Sequence, residues 1–201
     1  NDKRTWAWLL FTALCVTGRS ILILSPNNTL ATAKIPHWDF SSLFSLTRNL
    51  IECYHVFFYL CFDDIPYDES KARKQLLNLH DFHSRKTLLS TENSGNNAIE
   101  QSIIDELTST EYFKNLDQKQ QKHFLRGANS FFISREEIEA RAGNDKNNFK
   151  ILYKLFSSNT HSYPLGFYRM LDASRGTGVK SDTEVGYSAL ALEIAEGYMR
   201  E

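Results

Sequence analysis

The residues best able to do chemistry lie inside what reads as an apolar helix. In the run WDFSSLFSLTRNLIECYHVFFYLCF, Trp38 to Phe62, the ionisable residues Arg48, Glu52 and His55 interrupt a hydrophobic pattern. At helical pitch Glu52 falls about 40° from Arg48, and His55 about 20° to the other side. Tyr59 continues the stripe. A guanidinium only donates hydrogen bonds, a carboxylate only accepts them, and an imidazole can do either. Such a stripe can hold an anion, orient a neighbour or move a proton. Arg48 and Glu52 are expected to be buried and paired, because a lone buried charge is strongly unfavourable.

Partners must come from elsewhere in the chain. Arg19 interrupts a second apolar run, WAWLLFTALCVTGRSILIL, and is expected to join the same polar site. A third contribution comes from the end of NNFKILYKLFSSNTHS, where Lys154, Ser158 and His161 share a helical face. Small hydroxyl residues, Ser157, Ser158, Thr160 and Ser162, surround His161 and permit close helix approach. The expected polar site therefore comprises Arg48, Glu52 and His161, with Arg19, His55, Tyr153, Ser157 and Ser158 around them. His161 is expected to point into the bundle. One Glu-x-x-His copy, Glu52 to His55, falls short of the two needed for a di-iron bundle, so no metal and no cofactor are expected. The competing structural reading is an Arg–Glu pair that fixes helix register, with His55 satisfying a core hydrogen bond.

The elements that would position these groups are all helical. Apolar residues recur at i, i+3, i+4 and i+7, and no stretch alternates convincingly as a strand. The expectation is an all-α, single-domain bundle over residues 1–201. Its first core helix lies within 1–25, its central helix at 38–62, its motif helix at 145–162 and its closing helix at 182–201. A third helix is expected from Asp68 to Ser90, and smaller covering helices at 98–108 and 117–125. Asp39 or Ser41, Asp145 and the pairs Ser134/Glu137 and Ser181/Glu184 read as helix starts. The stretch from Pro26 to His37, the segment Thr91 to Asn97 and the glycine-containing Arg175 to Gly178 read as loops. Pro164 should end the motif helix before Tyr163.

Composition narrows the function classes. The chain has 201 residues, 42% of them hydrophobic, and a formal net charge of −1. It is thus globular, with no global attraction for polyanions. Cys15, Cys53 and Cys61 sit in apolar runs and read as reduced, buried thiols of a cytoplasmic protein. The run behind Lys3 and Arg4 imitates a signal peptide or membrane span, but Gly18 and Arg19 interrupt it. It is read as a core helix, and no membrane contact is expected.

The series LTRNLIECYHVFFYL, NLHDFHSRKTLL and AGNDKNNFKILYKLFSSNTHS resembles a group of bacterial helical proteins known as a domain of unknown function. Their "R-x-x-x-E" helix corresponds to Arg48/Glu52, and their "Y-x-x-x-S-x-x-x-H-S" element to Tyr153/Ser157/His161/Ser162. The likeness runs from about Trp38 to Arg169. More distantly the chain is similar to HEPN-like helical proteins, many of which are RNA-cutting toxins or defence components. That likeness implies an Arg four to six residues before a His, whereas Lys154 stands in the window before His161. Lysine lacks the planar fork that grips phosphate bidentately. Two functions follow as expectations. The first is a non-enzymatic module in a stress or defence assembly, with a protein partner or a second copy. The second is an RNA-directed hydrolase in which His161 acts as acid or base and Arg48 or Lys154 binds phosphate. Geometry separates them: the hydrolase needs His161 open to solvent beside cationic groups.

Overall fold

A computed structural model describes residues 2–26, 28, 37–89, 94–161 and 178–200. The expected loop over most of Pro26 to His37, Ser162, the Pro164 stop and most of Arg175 to Gly178 lie outside them, as does the start of the expected turn at Thr91 to Asn97, which is helical from Ser94 on. The fold is all-α. Helices α1 (Asp2–Leu24), α2 (Phe40–Phe57), α3 (Tyr67–Leu89), α4 (Ser94–Ser109), α5 (Glu111–Lys114), α6 (Gln118–Phe124), α7 (Arg135–Arg141), α8 (Lys146–Thr160) and α9 (Asp182–Arg200) follow in order. Among the described residues the only β-type pairing is an isolated bridge between Trp38 and Gly178.

The contacts divide the chain into two compact units, where the sequence led us to expect a single domain. The first is Asn1–Cys61 with Arg135–Glu201, and the second is Phe62–Ser134. In the first unit α2 is central, since α1, α7, α8 and α9 all pack on it. Its start is fixed by Asp39, whose carboxylate accepts from Ser42 N at 3.0 Å. The apolar stripe Leu43, Phe44, Leu50, Ile51 and Tyr54 is buried. Phe44 meets Phe156 of α8 at 4.7 Å and Tyr187 of α9 at 5.6 Å between ring centroids. The central helix is not α-helical through Phe62 as expected. It passes at Phe58–Phe62 into a π-helical turn, a form seen mostly as single turns within or beside α-helices.

In the second unit, α3 packs on α4 and α5 around Leu76, Leu79, Leu107 and Phe113. Arg73 is buried there and bridges Asp63 at 2.7 Å and Glu69 at 2.5 Å. The helix at Glu111–Lys114 was not anticipated. Its start is marked by Thr110, whose hydroxyl accepts from Phe113 N.

The first helix forms as expected but is not a core helix on most of its circumference. Only Leu14 and Ile21 along it are fully buried hydrophobics. The cysteines also depart from expectation: Cys15 is exposed, and Cys53 and Cys61 are half-buried. Burial still pushes the Cys53 and Cys61 thiols up, so neither is poised as a thiolate, although Lys3 partly offsets this at Cys61.

Candidate functional site

The site is built where α2 and α8 pack and the start of α7 adds to them. On α8, Tyr153, Ser157 and His161 are four residues apart and so rise along one side of the helix. Asp145 fixes the start of that helix by accepting from Asn147 N and Asn148 N. On α2, Arg48 and Glu52 stack at i, i+4 with 3.6 Å between Nη2 and Oε1. The two helices then meet through four polar side chains. Arg48 Nη1 lies 2.9 Å from His161 Nε2, and Arg48 Nη2 donates to Tyr153 Oη at 3.1 Å. Tyr153 donates its hydroxyl to Glu52 Oε1 in a short hydrogen bond. The other oxygen of Glu52 accepts from Arg135, the first residue of α7, through Nε at 3.1 Å and Nη2 at 3.0 Å. Both guanidiniums also flank the Tyr153 ring, with Arg48 Cζ at 5.2 Å and Arg135 Cζ at 5.7 Å from its centroid.

Four features decide what this cluster can do. Two guanidiniums face a single carboxylate, which leaves a surplus of positive charge. The cluster is open to water: the side chains of Arg48 and Glu52 are 20% and 29% exposed, Arg135 is 42% exposed, and His161 is exposed at the end of α8. Because a guanidinium only donates, His161 Nε2 must be the acceptor, with its ring proton on Nδ1. That contact occupies the Nε2 lone pair until another group displaces the guanidinium. Two polar atoms, Arg48 Nε and Ser157 Oγ, are enclosed here without hydrogen-bond partners. Unmet polar groups at such a place mark a network that is incomplete on its own.

Tyr153 is the group whose ionisation is displaced. Burial raises its pKa first, then the hydrogen bond to Glu52, with Arg48 and Arg135 pulling partly the other way. The folded phenol therefore holds its proton beyond the unfolded value of about 10. That stabilisation is complete below the unfolded value and is lost as pH rises through the folded one. Stability should accordingly fall with increasing alkalinity above about pH 10, and Tyr153→Phe should flatten the fall. Unfolding midpoints across an alkaline series check this; an identical slope in the variant would refute it.

The other residues expected at the site are placed differently. Arg48 and Glu52 are paired but only partly buried. His161 does reach the central helix, yet at the surface. Arg19 is exposed and takes no part, because it lies about 140° and 160° around α1 from Leu14 and Ile21, the buried stripe. Lys154 is exposed, and Ser158 is buried and donates to Lys154 O at 2.8 Å. Both sit one residue round from the Tyr153–Ser157–His161 line. His55 enters a separate cluster, in which it and Glu139 are fully buried. Its Nε2 lies 2.5 Å from Glu139 Oε1, which also accepts from Tyr198 Oη at 2.6 Å. The second Glu139 oxygen accepts from Asn144 Nδ2 at 2.8 Å.

Arg135 and Glu139 were missed from the sequence. Both belong to a seven-residue helix, and each finds its partner on α2 more than eighty residues away. The one available hint is the Ser134/Glu137 start signal, which places a helix but not its partners.

No curated protein and no solved structure matches the chain. A family of unknown function does, over residues 5–178, a span holding Arg48, Glu52, Arg135, Tyr153 and His161 together. The chain belongs to that family of unknown function, DUF5677.

Proposed function

We propose that the Arg48–Glu52–Arg135–Tyr153–His161 cluster binds an RNA phosphodiester and cleaves it by attack of the neighbouring 2′-hydroxyl. The observation that carries this reading is the exposed His161 held beside a guanidinium, with a second guanidinium on the same tyrosine ring. A non-enzymatic module of a stress or defence assembly would instead favour an enclosed His161 bonded to Glu52 or to backbone. An arriving phosphate oxygen competes for Arg48 Nη1 and so releases His161 Nε2. His161 then takes the proton of the 2′-hydroxyl. The 2′-oxygen forms its bond to phosphorus as the bond to the 5′-oxygen breaks, giving a 2′,3′-cyclic phosphate. The leaving 5′-oxygen takes a proton from solvent, and His161 returns its own to solvent. Arg48 and Arg135 stabilise the charge that builds on the phosphoryl oxygens. Glu52 and Tyr153 are positioning residues that hold the two guanidiniums apart and in line.

The test is cleavage of a single-stranded RNA by the full chain, scored by 2′,3′-cyclic phosphate ends. His161→Ala should lower the rate about 100-fold, with the melting midpoint kept, since the ring is exposed. Arg48→Lys should cut strongly into RNA affinity while the fold stands. A folded wild-type chain that neither binds nor cuts RNA would overturn the reading and return the assembly module to first place.

A further inference from the structure

We propose that the outer face of α1 is a docking surface for an anionic lipid bilayer, with the helix lying in the headgroup plane. The helix has 23 residues, about 34 Å of length at 1.5 Å per residue. By length and composition the stretch Lys3–Leu24 is apolar enough to cross a membrane, yet little of it is buried in the protein. The inner stripe, Leu14 and Ile21 with Leu10 and Gly18 beside them, faces the protein. The exposed remainder of its circumference carries Trp8, Phe11 and Val16 at 67%, 55% and 61% exposure, with Leu22 and Ile23 further along. An apolar face of this size is unusual on a surface meant for water.

Charge selects the occupant. Between Lys3 and Leu24 the charged residues are Lys3, Arg4 and Arg19, all cationic. A second copy docked on the same face would bring cations to cations. Anionic headgroups supply the missing sign, and a helix with basic residues beside Trp, Phe and Leu suits the interface. Trp6 and Trp8 lie next to Lys3 and Arg4, an arrangement suited to headgroup depth. A spanning orientation fits the fold less well. It would pull Leu14 and Ile21 from the protein and carry Arg19 into hydrocarbon. Lying flat, α1 keeps its seat on α2 and lets Arg19 extend its head to the phosphates.

The test is flotation of the full chain with vesicles of phosphatidylcholine alone or mixed with phosphatidylglycerol. Binding should be about tenfold tighter to the mixed vesicles. The combined change Trp8→Ser, Phe11→Ser and Val16→Ser should weaken it at least about tenfold, while circular dichroism and the melting midpoint stay near wild type, since all three are exposed. Lys3→Gln with Arg4→Gln should remove the preference for phosphatidylglycerol. Failure of the wild-type chain to float, or equal flotation by the triple variant, would overturn the proposal. So would alkaline-resistant insertion, which means a span, or a dimer in light scattering that the triple change dissolves. RNA cleavage is unaffected by these variants, so the two proposals fail independently.

Discussion

Glu139→Ala is expected to lower the unfolding free energy by about 3–5 kcal/mol, read as a drop in the denaturation midpoint at constant slope. Glu139 is fully buried, and its two oxygens accept from His55, Tyr198 and Asn144. Truncation leaves three polar side chains facing an empty volume, two of them largely or wholly enclosed. Leaving the enclosed His55 Nε2 unsatisfied costs about 1–3 kcal/mol, and collapse of the site recovers only part of that. Glu139→Gln should be milder. It keeps the volume and one acceptor, but it presents an amide N–H to a group that already donates. A midpoint unchanged in Glu139→Ala would mean that water replaces the carboxylate, and the cluster would then count for little. Because these groups sit apart from the exposed site, Glu139→Gln should retain RNA cleavage in whatever fraction stays folded.

A loss of similar size, about 3–5 kcal/mol, is expected for Arg73→Ala in the other unit. Arg73 is only 1% exposed, while Asp63 and Glu69, its two acidic partners, are 9% and 13% exposed. Removing the guanidinium takes away the buried cation that the two poorly hydrated carboxylates share. Arg73→Lys should recover only part of the loss. A single ammonium cannot reproduce the arrangement in which Nε and Nη2 both serve Glu69 while Nη2 also meets Asp63. Equal stability of Arg73→Lys and wild type would show that charge alone matters there and that the fork does not. The unit boundary makes the experiment informative in a second way: a biphasic transition in the variant alone would report that Phe62–Ser134 unfolds on its own.

What the sequence made legible was what repeats along a single helix. The all-α fold follows from apolar spacing, and several helix ends follow from their caps. Asp39, Asp145 and Ser181 each carry the expected local bond. Arg48, Glu52, Tyr153 and His161 do converge; the family resemblance supplies Tyr153, whereas helical spacing alone groups His161 with Lys154 and Ser158. Pairing between distant elements was not legible. Arg135 and Glu139 meet α2 through contacts with no periodic signature. His55, three residues from Glu52, turned out to serve another cluster, since adjacent positions on a buried helix can face different neighbours. The expectation that Arg19 joins the site treated any charge in an apolar run as buried. The outer face of α1 is apolar without being enclosed, so Arg19 needed no carboxylate.

The way the chain visits its two units bears on how it is made. Synthesis delivers α1 and α2 first, then all of Phe62–Ser134, and only afterwards α7, α8 and α9. The second unit thus has every one of its own helices in hand before the first has received more than two. During that interval the buried face of α2, Phe44 and Ile51 included, waits for partners still inside the ribosome. Folding of the insert shortens the effective loop between α2 and α7, and a shorter loop closes at less entropic cost. Slowing translation between residues 62 and 134 should therefore matter less than slowing it just after Arg135, where exposed apolar surface is greatest and aggregation competes with completion.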